Sequence, residues 1–559
     1  MTSFGAIVDD TVKIEGQVHH WLGTLCPPPN EQPRFLQMYI YDTENEVSNR
    51  LHAFTSDRQS RLKPEIVAFL LKTLEMYNKL VRLFRTARDV CSSTDVPHFN
   101  VCLYGSKTAM SPDCIGAIVS DGDPTCCRFD IIIRQRDGGP QRINKLHQSY
   151  MPLQYPLLFI HGESGWSPDL RLRDRNQSQN KKMTTNMYYS YLLHDRSNVY
   201  SLLLRGGRLL QQYIVDAYVC IEESRLDYYR MNQNVFRTEF LQGVHDAVQH
   251  GDTEGRDIDK RIVLPSSFIG GPRYMYKHYQ DALAICRVHG NPQYFITFTC
   301  NVKWPKIERY MARFPSLKAQ DRPDIIARVF QRKVKSIMNF LKTNKPFGDV
   351  AADLYMIEFQ KRGLPHCHLL LWVTQPYRIK DASDVDNYIS AEIPNPILEP
   401  QLYKIVTDLM IHGPCGIVKP DAPCMSSGSC SKNYPKEYQE VTSFDDSGYV
   451  HYRRQSTGFT VTKNGMKIDN GYVVPYNRVL SMHYMAHINV EYCGWSMLIK
   501  YLFKYISKGV DRIHYTIKKS PSLTEDTHTA DSPHVDEIRN FLDARFICPH
   551  EASWSILNF

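Results

Sequence analysis

Residues 355–373, YMIEFQKRGLPHCHLLLWV, restrict what this chain can fold into more than any other stretch. Two histidines stand one residue apart on an apolar run, after a turn containing Gly and Pro and a strand that carries a carboxylate. Alternate residues of a strand share a face, so His366 and His368 project together while Cys367, Leu369 and Leu371 pack on the other side. Upstream, Tyr355, Ile357 and Phe359 alternate with Met356, Glu358 and Gln360, and residues 361–365 supply the turn of a β-hairpin. Folding that hairpin back sets Glu358 and Gln360 beside the histidines. The result is two nitrogen ligands, one or two oxygen ligands and room for a substrate oxygen, a set suited to Mg²⁺, Mn²⁺ or Zn²⁺. A half-exposed histidine pair without a metal has the same pattern, so the partners of the motif decide between the two.

One partner is at residues 500–509, KYLFKYISKG. Tyr501 and Tyr505 stand four apart, and Lys500, Lys504 and Lys508 form a second row at the same spacing, so on a helix each row lies along one face. A tyrosine hydroxyl can attack a phosphodiester when a cation withdraws charge from the phosphate and lysines neutralise what develops in the transition state. Core aromatics of an ordinary amphipathic helix show this spacing too.

With the strand YFITFTCN at 294–301, these segments resemble the HUH rolling-circle endonuclease of Helitron transposons. LQYPLLFIHGESGW, LLLRGGRLLQQYIVDAYVCIE, VLPSSFIGGPRYM, VVPYNRVLSMHYMAHINVEYC and ARFICPHEASW resemble the same family in its order, from about residue 153 onward. The resemblance implies an α+β, multidomain protein whose HUH-type nuclease core is an antiparallel sheet flanked by helices. It also implies a metal-dependent endonuclease and strand transferase acting on single-stranded DNA at transposon ends, in the nucleus. His366 and His368 would hold a Mg or Mn cation, with Glu358 as third ligand and Gln360 as its substitute. Tyr501 or Tyr505 would attack the scissile phosphate and keep the 5′ end, the other permitting a second cleavage, while Lys504 and Lys508 steady the backbone. The family pairs this activity with a helicase. No G-x-x-x-x-G-K-[ST] phosphate loop occurs in the sequence, so a further domain or a separate chain is expected to supply it. The alternative is an inactive transposon-derived remnant that holds single-stranded DNA without cleaving it.

Composition sets outer limits. The 559 residues, 42% hydrophobic and 23% charged, suit roughly two to four folded domains, and the absence of a run of 18 or more apolar residues points to a soluble chain. The N-terminus lacks the pattern of a signal peptide, so the 15 cysteines are expected reduced. The formal charge of +8 is uneven: residues 301–350 hold twelve Lys or Arg against four acids. Such a patch, in a chain with 34 tyrosines and 24 phenylalanines, suits single-stranded nucleic acid, although a solvated helix face has the same composition.

Taken in order, residues 1–163 read as an α/β region of undisclosed role, with a helix from Pro64 to about Arg88 and short strands at VCLYG, CIGAIVS, FDIIIRQ and QYPLLFI. The polar residues 164–187 read as a linker, and 188–290 as a helical region whose Arg205, Arg208 and Arg225 suit either DNA contact or packing. The nuclease core is expected at 291–380 and 480–520. Strand, helix, strand, strand is the order of an α+β sandwich, with a helix starting at Pro323 and running to about Lys342. Its predicted core stripe is Ile326, Val329, Phe330, Ile337 and Leu341, with Arg328, Arg332, Lys335 and Lys342 facing away as candidate DNA contacts. Residues 381–479 read as a Cys/His-rich insertion in which His412, Cys415, Cys424 and Cys430, spaced His-x2-Cys-x8-Cys-x5-Cys, are candidate ligands of a structural Zn²⁺. Residues 521–559 read as a C-terminal segment leading toward a helicase.

Overall fold

The computed structural model describes residues 45–52, 63–82, 85, 101–103, 117–119, 146–172, 181–237, 262–359, 363–416, 419–446, 448–493, 536–542 and 545–559. The chain divides into two compact units, Met1–Arg225 and Leu226–Phe559, and the division falls inside the helix Arg208–Met231.

The first unit differs from expectation in three places. The expected helix is interrupted at Asn78, which takes extended backbone and whose Oδ1 accepts from the N–H groups of Leu80 and Val81; helical backbone resumes at 79–82 and 85, and residues 86–88 lie outside the described residues. QYPLLFI is a set of turns, with the N–H groups of Leu158 and Phe159 both donating to the Tyr155 carbonyl. Pro156, lacking an N–H, favours that over a ladder. The polar stretch 164–187 lies within the unit: Trp166 Nε1 donates to the Met183 carbonyl at 3.0 Å. Tyr155 and Tyr189, one before it and one after, both pack on Tyr213 at 5.5 and 6.2 Å, so the two sides share one core. Val101–Leu103 and Ala117–Val119 do pair antiparallel, while FDIIIRQ lies outside the described residues.

The second unit is organised by a four-stranded antiparallel sheet. In chain order its parts are α1 (Pro272–His289), β1 (Tyr294–Thr299), α2 (Pro305–Met311), α3 (Pro323–Thr343), β2 (Val350–Phe359), β3 (Pro365–Val373), α4 (Pro400–Leu409), α5 (Arg478–Tyr484), β4 (Ile488–Tyr492) and α6 (Pro549–Ile556). The strands lie in the order β4-β1-β3-β2, so β1 and β3 are central and β2 and β4 form the edges. This is an α+β arrangement, as the strand-helix-strand-strand order predicts.

The two faces differ because each strand alternates. Tyr294, Ile296 and Phe298 of β1, Cys367, Leu369 and Leu371 of β3, and Ile488 and Val490 of β4 pack on Ile326, Phe330, Val334, Ile337 and Leu341 of α3. At roughly 1.5–3 kcal/mol for each large apolar side chain fully buried, these contacts dominate the free energy joining α3 to the sheet. The predicted stripe holds, with Val334 added and Val329 only partly buried. The C-terminal segment enters the same core: Trp554 of α6 packs on Phe330 and Phe359 at 6.2 and 6.0 Å. On the opposite face, Phe295, Leu370 and Trp372 are covered by α1 through Ala282, Tyr279 and Ile285. The remainder of that face is polar.

Residues 381–479 have a small core of their own, Ile393, Leu402, Val406, Met410, Val473 and Tyr476, besides the cysteines. Arg454, almost fully buried, ties it together by donating from Nη1 to the carbonyls of Ala391, Asn470 and Val473 at 3.2, 2.6 and 2.8 Å.

Candidate functional site

Register places the polar side chains. His366 pairs with Thr299 on one side and Glu358 on the other, and His368 pairs with Thr297 and Met356. Directly paired residues of antiparallel strands point to one face, so both histidines, both threonines and Glu358 share the surface not covered by α1. The turn that returns β3 beside β2 uses Gly363 at φ +90°, and a Cβ there would meet His550 Nδ1 of α6 at 2.8 Å.

Each imidazole is held at Nδ1. His366 Nδ1 lies 3.0 Å from Thr299 Oγ1, and His368 Nδ1 lies 3.2 Å from Thr297 Oγ1. Such bonds fix ring orientation and leave Nε2 to meet a ligand. His368 is 6% exposed, stacks on Phe295 at a centroid distance of 5.6 Å, and brings Nε2 to 2.9 Å from Glu358 Oε2. That contact is a hydrogen bond between His368 and Glu358, and the donor atoms of His366, His368 and Glu358 do not all lie within 4.8 Å of one another. Burial pushes the His366 imidazole down to about 4, helped by the nearby rings of His368 and His487 and opposed by Glu358. His366 is therefore neutral at pH 7, the form that binds metal. Gln360, Tyr501, Lys504, Tyr505 and Lys508 lie outside the described residues.

The second centre is a knot of loops. Ligand atoms of His412, Cys415, Cys424 and Cys430 all lie within 4.8 Å of one another, and no other set of three or more His, Cys, Asp or Glu among the described residues meets that limit. Positive φ at Gly413 and Gly416 turns the chain around Cys415, and Gly428 does the same before Cys430. Cys430 Sγ lies 3.4 Å from His412 Nε2, and the His412 ring stacks on Tyr434 at 4.2 Å. Burial acts to raise the Cys430 thiol, but the backbone of Tyr434 and Lys432 and the thiols of Cys415 and Cys424 outweigh it and bring Cys430 below its ordinary value. Burial, with the thiols of Cys424 and Cys430, pushes Cys415 up to about 12. Three thiols and an imidazole crowded in this way are the donor set of a closed Zn²⁺ site. The cluster can hold a metal such as zinc.

The candidate DNA contacts lie elsewhere. Since α3 packs on the face opposite the histidines, the sheet stands between its cations and the His366–His368 pair. Arg332 and Lys335 are exposed and Arg328 is half-buried. Lys342 is ion-paired with Asp353 at 2.6 Å. Arg322, counted in the charge patch, is fully buried against Asp324 at 2.8 Å and serves packing.

Thr297 and Thr299 escaped notice in the sequence, although their spacing in YFITFT matches that of His366 and His368. His487, which stands just before β4, has no local motif to mark it.

No helix among the described residues is long and apolar enough to cross a membrane. No curated protein matches the chain. Residues 188–371, which include β1, α3, β2 and all of β3 but its last two residues, with both histidines, match the family model of the Helitron helicase-like domain at the N-terminus.

Proposed function

We propose that this is a Helitron transposon protein whose β1–β3 face is an HUH-type endonuclease and strand-transfer centre acting on single-stranded DNA. One observation carries the reading: His366, His368 and Glu358 share one sheet face, with each ring steadied by a threonine on the neighbouring strand. A bound Mg²⁺ or Mn²⁺ supplies charge withdrawal from the scissile phosphate. Residues of the chain do the rest. Tyr501 or Tyr505 attacks phosphorus through its phenolic oxygen, losing its proton. The bond from phosphorus to the 3′ oxygen breaks, that oxygen takes up a proton, and the 5′ phosphate stays on the tyrosine. Lys504 and Lys508 balance the added negative charge, and the second tyrosine serves the second cleavage of rolling-circle transfer. The partners are single-stranded DNA at transposon ends and a helicase domain or separate helicase, in the nucleus. The Cys/His knot carries a structural Zn²⁺.

Trapping the adduct tests this. The protein incubated with a labelled single strand and Mn²⁺ should form a covalent product, and peptide mapping should place it on Tyr501 or Tyr505. The double Phe variant should form none. An adduct elsewhere, or DNA retention with no adduct under any divalent cation, would replace the enzyme by a binding remnant.

A further inference from the structure

In the first unit, the loop from the helix Thr185–Leu192 to the 3-10 turn Leu203–Arg205 carries tyrosines that the core does not use. Tyr191, at the end of the helix, is 59% exposed, and Tyr200, near the end of the loop, is 71% exposed. Leaving a large ring in water forgoes the stabilisation that its burial would bring. Each ring is covered on one side by an arginine close by in the chain. The guanidinium carbon of Arg196 lies 3.7 Å from the centre of the Tyr191 ring, and that of Arg205 lies 4.3 Å from the centre of the Tyr200 ring. At that distance the cation sits against one face of the ring and is drawn to its negative quadrupole. With more than half of each side chain still exposed, the second face of each ring meets solvent.

Backbone bonds hold both arginines in place. Arg196 donates to the carbonyls of Tyr191 and His194 at 2.9 and 3.0 Å, and Arg205 donates to that of Ser201 at 3.3 Å. The loop itself is pinned at both ends by buried leucines, Leu193 on one side and Leu203 and Leu204 on the other. Rings fixed in this way lose little further freedom when a ligand docks. The surroundings are cationic as well: residues 188–209 contain Arg196, Arg205 and Arg208 against the single acid Asp195.

Exposed flat faces backed by guanidinium groups suit a ligand that offers flat faces and negative charge together. Unpaired bases on a phosphate backbone do so, whereas a duplex keeps its base faces inside the stack. We infer that Tyr191 and Tyr200, each backed by its arginine, are stacking sites for bases of a single strand, with the arginines supplying charge toward its phosphates. This names where the single strand of the proposed function is gripped, and rests on that reading for the kind of partner. The grip tolerates any sequence, since every base has a face to stack.

Fluorescence anisotropy of a labelled oligothymidylate with the full chain, without added divalent cation, tests this grip apart from cleavage. Tyr191→Ala with Tyr200→Ala should weaken binding at least about tenfold, because each lost stacking ring costs roughly fivefold or more. Tyr191→Phe with Tyr200→Phe keeps the rings and should bind like the unmodified chain. Tyr276→Ala, which removes a ring 65% exposed in the second unit, should change nothing. Should the alanine variant misfold, an abasic strand of equal length gives the same information on the unmodified protein, which should bind it at least about tenfold more weakly than thymidylate. Thymidylate binding unaltered in the alanine variant, or an equal loss on blunt duplex, overturns the inference even where an adduct forms on Tyr501 or Tyr505. Weakened binding by the alanine variant of a chain that forms no adduct supports the stacking sites and overturns the endonuclease reading alone. An unmodified chain that holds no single strand overturns both.

Discussion

The two candidate metal centres, built from overlapping residue types, differ in how the chain makes them. The knot gathers His412, Cys415, Cys424 and Cys430 within nineteen residues by glycine-led turns, and its four donor atoms already crowd within 4.8 Å. The sheet face draws Glu358, His366 and His368 from a hairpin and adds Thr297 and Thr299 from a strand distant in sequence. Its donors are held apart by the strand spacing and do not close to within 4.8 Å. A closed four-donor site serves folding, whereas an open one leaves coordination positions for a substrate. The difference teaches that removing donors should damage the fold at the knot and the chemistry at the sheet.

The largest expected effect is at the knot. Cys424→Ser should bring zinc below one per chain and cost more than about 3 kcal/mol of stability, since a structural metal's binding energy is folding energy. Metal analysis with thermal unfolding checks both. Full zinc content and an unchanged melting temperature would erase the contrast between the centres. The next effect concerns the support beneath the sheet. Phe330, fully buried between Phe298, Trp304 and Trp554, should cost about 3–5 kcal/mol as Phe330→Ala in denaturant unfolding.

A smaller effect depends on pH. Burial pushes His550 down to about 4, opposed by Asp324, and neither ring nitrogen has a hydrogen-bond partner among the described residues. Between about 4 and its ordinary value of 6.5 the unfolded chain binds a proton that the folded chain refuses. Stability should thus be full above 6.5 and decline as pH falls toward 4, by about 2–3 kcal/mol for this group. His550→Leu should flatten that part of the stability curve, and an unaltered slope would show that the ring is not what acid attacks beneath the hairpin turn.

The smallest effect belongs to α3. Removing Arg328, Arg332 and Lys335 together should lower the salt slope of single-strand binding by about 2, at roughly 0.7 for each phosphate contact. Mn²⁺ binding should be untouched, because the sheet separates these cations from the histidines. An unchanged slope would assign the helix to packing and solubility alone.

What the sequence disclosed, and what it hid, follows the range of the interactions. The hairpin, the shared face of His366 and His368 and the place of Glu358 are local consequences of strand alternation, and so was the α3 stripe. The knot was legible because its ligands are near in sequence. By contrast, β4 pairs with β1 across about 190 residues, and nothing in HINVEY announces which strand it will join. The docking of α6 on α3 is long-range in the same way. The break at Asn78 was hidden differently: the apolar spacing continues past it, and a single side chain bonding to the backbone overrides the periodicity. Polarity at 164–187 suggested a linker, but polar residues also cover a segment whose flanks share a core.

The sheet face with His366 and His368 at its centre is proposed to break a DNA backbone through a divalent cation. Single-turnover cleavage of a labelled single strand, by the unmodified chain and by His366→Ala with His368→Ala, tests it most directly when zinc content and melting temperature are matched. With Mn²⁺ the unmodified chain should cleave, and the double variant should be slower by at least about 10³-fold, as should either protein in a chelator too weak to strip the knot. Equal cleavage by both proteins, or cleavage that persists without a free divalent cation, would contradict the account.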